Sequence, residues 1–148
     1  MKLASRNMAV LAGALMIAAP LSTAYAAQIV GIGGKCLDVR GGIIVSNIPV
    51  QIFTCRSGQP NQNWTVFNGT IRAGNLCLDV TGGVSADGTP VQVFTCTGGS
   101  NQKWTIVNGT IRGIGGKCLD VRGGVSTDGT AVQIFTCHND PNQNWTIR

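Results

Sequence analysis

One unit written three times constrains this chain more than any other feature. Gly31-Ile-Gly-Gly-Lys-Cys-Leu-Asp-Val-Arg40 returns letter for letter as Gly113-Ile-Gly-Gly-Lys-Cys-Leu-Asp-Val-Arg122. A looser copy, Ala73-Gly-Asn-Leu-Cys-Leu-Asp-Val-Thr81, lies between them. Cys36, Cys77 and Cys118 stand 41 residues apart, as do Asp38, Asp79 and Asp120, and Gln51, Gln92 and Gln133. The copies therefore run over residues 31–72, 73–112 and 113–148. A unit this small cannot bury its own apolar face, and three are few for an open solenoid. Three such units are expected to close on one another around a shared core.

Each copy reads as β. Cys-Leu-Asp-Val and Val-Gln-(Ile/Val)-Phe-Thr-Cys alternate with the two-residue period of a strand. Asn68-Gly69 and Asn108-Gly109 sit between short alternating runs, where a type I′ hairpin turn needs two residues with positive φ. Asp87-Gly88 and Asp128-Gly129 mark a second turn, and Ser46-Asn47 takes that place in the first copy. No helical period appears after the first residues. Trp64, Trp104 and Trp145, with Leu37, Leu78, Leu119 and the strand Val and Ile residues, are the candidate core.

The N-terminus reads as an export leader. Lys2 and Arg6 precede an uncharged, mostly apolar run from Met8 to Ala19, Pro20 breaks it, and Ala24-Tyr25-Ala26 offers a small-x-small cleavage pattern. A signal peptide over 1–26, cut after residue 26 or 27, would leave one secreted domain over 27–148. The run falls short of the roughly 20 apolar residues a spanning helix needs, so no membrane insertion is expected once it is removed. Without Lys2 and Arg6, nine scattered bases outnumber six aspartates by three. No dense basic patch marks a nucleic-acid partner.

The six cysteines form three pairs of equal spacing, Cys36/Cys55, Cys77/Cys96 and Cys118/Cys137. Six cysteines allow 15 pairings. The repeat selects the pairing that treats every copy alike, and export favours its oxidation. No metal is expected, because Cys-x-x-Cys pairs are absent and His138 is the single histidine.

Catalysis finds little support. Sugar hydrolysis generally needs two carboxylates facing one bond, whereas Asp38, Asp79 and Asp120 are mates in separate copies. Asp87 and Asp128 belong to turns, and Asp140 stands alone. His138 has no evident nucleophile to serve. Gly31 to Lys35 resembles a phosphate loop but precedes a strand and lacks the following Ser/Thr, so a β-turn explains it. The chain is expected not to be an enzyme and to need no cofactor. A binding site per copy fits better: an Asp, a Gln, a Phe and an Asn-Gln pair offer donors, acceptors and an aromatic face, which suits a sugar. Gln133 and Phe135 share one strand face, opposite Val132, Ile134 and Thr136, and the polar Gln suggests that this face is accessible.

Gln62-Asn63-Trp64, Gln102-Lys103-Trp104 and Gln143-Asn144-Trp145 resemble the Gln-x-Trp signature of the ricin B-chain-type lectins, a family that includes modules attached to xylanases. The Cys-Leu-Asp-Val and Val-Gln-x-Phe-Thr-Cys segments match at the same spacing, so the resemblance covers the whole chain beyond the leader. It implies an all-β fold, the β-trefoil, with three pseudo-symmetric repeats of four strands each. It further implies a structural Trp and sugar contacts from Asp38, Gln51, Phe53, Asn61 and Gln62; from Asp79, Gln92, Phe94, Asn101 and Gln102; and from Asp120, Gln133, Phe135, Asn142 and Gln143. His138 adds a polar group to the third copy, giving an expected order of third, second, first.

Two departures bear on this. The stacking aromatic is Phe throughout, where the family often has Trp or Tyr. The first copy carries one extra residue between Cys55 and Trp64, and its loop Ile43-Ile44-Val45-Ser46-Asn47-Ile48 is apolar. The implied partners are glycans of a polysaccharide or cell surface, of galactoside or xylose type, alongside a separately encoded catalytic or toxin partner. The alternative is a protein-interaction role, as inhibitor or toxin-delivery subunit, centred on the apolar loop.

Overall fold

The computed structural model describes residues 23–148, so most of the expected leader, residues 1–22, lies outside the described residues. In chain order the strands are β1 (Tyr25–Ala27), β2 (Ile29–Val30), β3 (Cys36–Val39), β4 (Ile48–Phe53), β5 (Trp64–Phe67), β6 (Thr70–Ala73), β7 (Leu76–Val80), β8 (Val91–Thr95), β9 (Thr105–Val107), β10 (Thr110–Arg112), β11 (Cys118–Val121), β12 (Val132–Phe135) and β13 (Thr146–Ile147). Short 3-10 turns join many of them, and no α-helix occurs among the described residues. Asn68 and Gly69 have φ of 49° and 72°, and Asn108 and Gly109 of 48° and 75°, as the hairpin signal requires.

The four strands expected per repeat hold for β3–β6 and for β7–β10. The third repeat differs. It contributes β11, β12 and β13, and its fourth strand is β2, from the other end of the chain. Thr146 pairs with Val30 and Ile147 with Ile29. Gln28 and Arg148 exchange backbone hydrogen bonds of 2.7 and 3.0 Å. Ile29 thereby takes the buried place that Ile71 and Ile111 hold in the other repeats. A ring of three cut once leaves two strand edges, and pairing the cut ends removes them. The short β1 is an addition to the expected pattern. It lies on β5, with Ala27 opposite Trp64.

The core is built in triplets. Leu37, Leu78 and Leu119; Val39, Val80 and Val121; Val50, Val91 and Val132; and Ile52, Val93 and Ile134 are all buried in one cluster with the three tryptophans. Each indole N–H donates to the carbonyl of its own repeat's leucine, at 2.9 Å for Trp64 and Trp104 and 3.0 Å for Trp145. A buried indole N–H without such an acceptor would be costly. Two glycines make room for the rings. A Cβ on Gly31 would lie 2.7 Å from the Trp145 ring, and one on Gly113 would lie 2.7 Å from the Trp104 ring.

The repeats join through their inner strands. Ile52 N–H donates to Thr130 at 3.0 Å and Gly129 N–H returns to Ile52 at 2.8 Å. Ile134 and Gly88 do likewise across the next junction. Asn47 N–H donates to Val93 at 2.9 Å across the third, where β4 pairs with β8. Two junctions also carry a charge clamp. Lys35 Nζ reaches Asp128 at 2.8 Å, and Lys117 Nζ reaches Asp87 at 2.7 Å. At the junction of the first and second repeats both members are replaced. Leu76 stands for the lysine and Ser46 for the aspartate, with Ser46 Oγ accepting from Thr95 N–H at 3.1 Å. Ile44, Ile48 and Leu76 pack against the core there, and Ile44 lies over Gly74. Much of the loop's apolarity therefore belongs to an internal seam, although Ile43 and Val45 are exposed.

Replacing Gly113 by Ala should lower unfolding stability by about 1–3 kcal/mol through overpacking against Trp104, read as a shift in denaturant midpoint. The clamps set a pH dependence. The Lys117 ammonium and then the Thr136 hydroxyl hold the Asp87 carboxyl below its ordinary value, and Lys35 and Thr54 do the same for Asp128. Depressed carboxyls stabilise fully above their ordinary pKa, near 3.8, and lose that contribution as pH falls through the folded value. A D87N/D128N variant should melt below the parent at neutral pH, and the two melting temperatures should converge as pH falls through the depressed carboxyl values.

Candidate functional site

Each site grows from one strand pair and one turn. Asp38, Asp79 and Asp120 are opposite Gln51, Gln92 and Gln133 in register. The glutamines donate Nε2–H to Oδ1 of the aspartates at 3.0, 3.1 and 3.0 Å. The 3-10 turns Pro60–Gln62, Ser100–Gln102 and Pro141–Gln143 bring in the Asn-Gln pairs. Asn61, Asn101 and Asn142 donate to Oδ2 at 2.9, 3.0 and 3.1 Å. Gln62, Gln102 and Gln143 donate to the same oxygens at 2.9, 2.8 and 2.8 Å. These last glutamines also donate to the carbonyls of Thr54, Thr95 and Thr136, and accept from the backbone N–H of Arg56, Thr97 and His138.

The polar residues expected in each repeat thus converge on one carboxylate. The carboxylates are only 2–3% exposed. A carboxylate has about four lone-pair directions. Three are used by the amides, which leaves one, on Oδ1. The expectation of an accessible face holds at its ring, since Phe135 is exposed, and not at its glutamine, since Gln51 and Gln133 are 7% and 6% exposed. Arg40 Nε donates to Gln51 Oε1 at 3.1 Å, and Arg122 Nε to Gln133 Oε1 at 2.9 Å. The same arginines reach the carbonyls of Gly129 and Gly88 in a neighbouring repeat. The glutamine end of the strand face is covered by the next repeat's turn, which a single copy of the pattern cannot reveal. Thr81 takes the arginine's place in the second repeat, and Gln92 is half-buried there.

The rings lie at the outer ends of the strands, opposite the first disulfide cysteine: Cys36 pairs with Phe53, Cys77 with Phe94 and Cys118 with Phe135. The disulfides Cys36–Cys55, Cys77–Cys96 and Cys118–Cys137 are the expected ones. They pin the ring and the residue after the second cysteine close together. That residue differs in each repeat. Arg56 lays its guanidinium over the Phe53 ring, with Cζ 5.2 Å from the centroid. Thr97 turns its hydroxyl to Gln102 Oε1 at 3.3 Å. His138 stands edge-on to Phe135, its Nε2 3.4 Å from Asp120 and its Nδ1 2.9 Å from Asp140. Asp140, expected to stand alone, is therefore paired with His138. The charge difference after the second cysteine, Arg56 against Thr97 and His138, is the sequence signal for these contacts.

The repeats also differ in enclosure. A cavity of about 330 Å³ gathers Asp38, Gln51, Phe53, Asn61 and Gln62 with Gly41, Gly42, Arg56 and Gln59. A cavity of about 380 Å³ beside the third repeat is lined by His138, Asp140, Pro141 and Asn142 with Ile32, Gly123 and Gly124, without Asp120, Gln133 or Phe135. The first repeat thus gathers its carboxylate, amides and ring in one cavity, whereas the cavity beside the third repeat excludes its carboxylate and ring.

Residues 25–145 match the family model of the ricin-type beta-trefoil lectin domain. This chain belongs to that family. It is an all-β trefoil with a carbohydrate-binding type of domain. A stretch of 48 residues, 31% of this chain and 8% of the relative, is 46% identical to beta-galactoside-specific lectin 3 of Viscum album. The agglutinin from Abrus precatorius superposes with a TM-score of 0.80 at 24% identity, over 88% of this chain and 51% of that one. The exo-beta-1,3-galactanase from Clostridium thermocellum superposes with a TM-score of 0.73 at 29% identity, over 82% of this chain and 29% of that one. The lectin domain therefore spans about half of the agglutinin and a smaller part of the other two.

Within the lectin domain, Asp38→Ala would leave three amide groups without their shared acceptor, two of them on buried glutamines. The loss should be about 3 kcal/mol of stability, seen in chemical denaturation. Removing Asp38, Asp79 and Asp120 together should unfold the domain, so a loss of binding in that variant would report on folding.

Proposed function

We propose that this chain is an exported, non-catalytic glycan-binding module for galactoside-type sugars, with its best-formed site in the first repeat. The observation that carries this reading is the Asp38 carboxylate. Three amide donors hold it, one lone-pair direction remains, and the Phe53 ring and the Asn61 amide flank it in a cavity of about 330 Å³. A sugar needs such a pairing of a directional acceptor with an aromatic face. The names of the Viscum album lectin and the galactanase support galactosides over xylose-type polymers. The absence of catalysis is supported by the company Asp38 keeps, amides and one guanidinium with no second carboxylate lining its cavity. Export is supported by the leader pattern and by three intrachain disulfides, which suit an oxidising compartment. Three sites on one rigid body would bind a polymer more tightly than a single sugar. A catalytic or toxin partner encoded separately is part of the same proposal, tested by co-purification. The rival protein-interaction reading loses its main support, because Ile44 and Ile48 pack against the core.

Titration of the oxidised protein with methyl β-galactoside and methyl β-xyloside, followed by NMR, tests the proposal. Saturable binding of the galactoside is expected, and Phe53→Ala should weaken first-repeat binding by up to about tenfold while the fold persists. Failure to bind any glycan on an array would overturn it.

A further inference from the structure

The three sites match in their carboxylate and amides, and the residue after the second cysteine gives each a different charge beside its ring. In the first repeat this residue is Arg56, and its backbone is held on both sides. Its N–H donates to Gln62 Oε1 at 2.8 Å, and its carbonyl accepts from Gln28 Nε2 at 3.2 Å. The guanidinium lies over Phe53 at the mouth of the site. Arg56 is exposed and forms no ion pair with a carboxylate among the described residues. Asp38, in the same cavity, is buried and engaged by three amide donors. Arg40 is turned away to Gln51 and the Gly129 carbonyl. The cavity mouth therefore presents a cation that no carboxylate pairs, with the Asp38 carboxylate buried and amide-bound beneath it. Arg56 also borders an adjoining cavity of about 380 Å³, shared through Gln59 and Gln62.

We propose that the first-repeat site selects acidic glycans, carrying a carboxylate or sulfate, and that Arg56 is the specificity-determining residue. The inference rests on the glycan-binding reading of this site. A neutral sugar stacking on Phe53 must share the ring with the guanidinium or displace it, losing the cation–π contact. An acidic sugar draws the guanidinium off the ring into a forked, charge-assisted pair and exposes the face it stacks on. The second repeat has the neutral Thr97, and in the third His138 is already engaged by Asp120 and Asp140. The selectivity therefore belongs to the first site.

The test titrates the oxidised protein with the methyl glycosides of galactose, galacturonic acid and galactose 6-sulfate, following the Phe53 ring by NMR. At low salt at least one acidic sugar should bind about tenfold tighter than the neutral one, and the ratio should shrink as salt is added. Arg56→Gln should bring the ratio near one, and Arg56→Lys should keep part of it. Preference for a single acid supports the proposal and names the charged group. A ratio near one in the parent, or one that survives Arg56→Gln, overturns it and leaves the glycan-binding reading standing. Absence of binding by all three sugars overturns both.

Discussion

The carboxylate of each Asp38-type residue is the point on which both fold and site depend. It receives one strand glutamine, one turn asparagine and one turn glutamine, all as donors. The turn glutamine is tied in addition to the carbonyl of Thr54 and the N–H of Arg56. Two residues further on, the tryptophan enters the core and donates to the leucine beside the aspartate. One buried anion thus ties a strand pair, a 3-10 turn and the central apolar cluster together. Buried polar groups of this kind are stable only when fully paired, and no buried side-chain polar atom among the described residues lacks a partner.

Closure of the ring is a second constraint, and its three junctions are unequal. Two use a lysine–aspartate clamp on the surface. The third has exchanged both members for Leu76 and Ser46 and added Ile44 and Ile48 to the core edge. The exchange is consistent on both sides, so neither an unpaired lysine nor an unpaired aspartate is left. The chain ends supply the last hairpin, with Ile29 completing a triplet begun by Ile71 and Ile111.

Equivalence between the sites ends where the core no longer dictates the residue. The aspartate, the glutamines and the asparagine are locked by mutual hydrogen bonds and recur unchanged. The position after the second cysteine contributes its backbone N–H to that lock in every repeat, and its side chain varies. Arginine, threonine and histidine there give one ring roofed by a cation, one repeat with a small hydroxyl, and one ring set edge-on to an imidazole that lies near two carboxylates.

Much of this was legible in the residues alone. Repetition at 41 residues dictates a closed threefold body, because no single copy can bury its apolar face. Alternation dictates strands, and Asn-Gly dictates the hairpins. Equal cysteine spacing dictates the bridges. The grouping of Asp38, Gln51, Asn61 and Gln62 followed from the family resemblance. Other features needed the third dimension. Strand pattern cannot show that Gln51 is roofed by a turn from another repeat, nor that Ile44 faces inward across a seam. It cannot show that Ile29 belongs to the third repeat, because that pairing joins opposite ends of the chain. Local sequence specifies turns, strands and their periods; which surfaces remain open depends on contacts between residues far apart in the chain, and those exist only once the ring has closed.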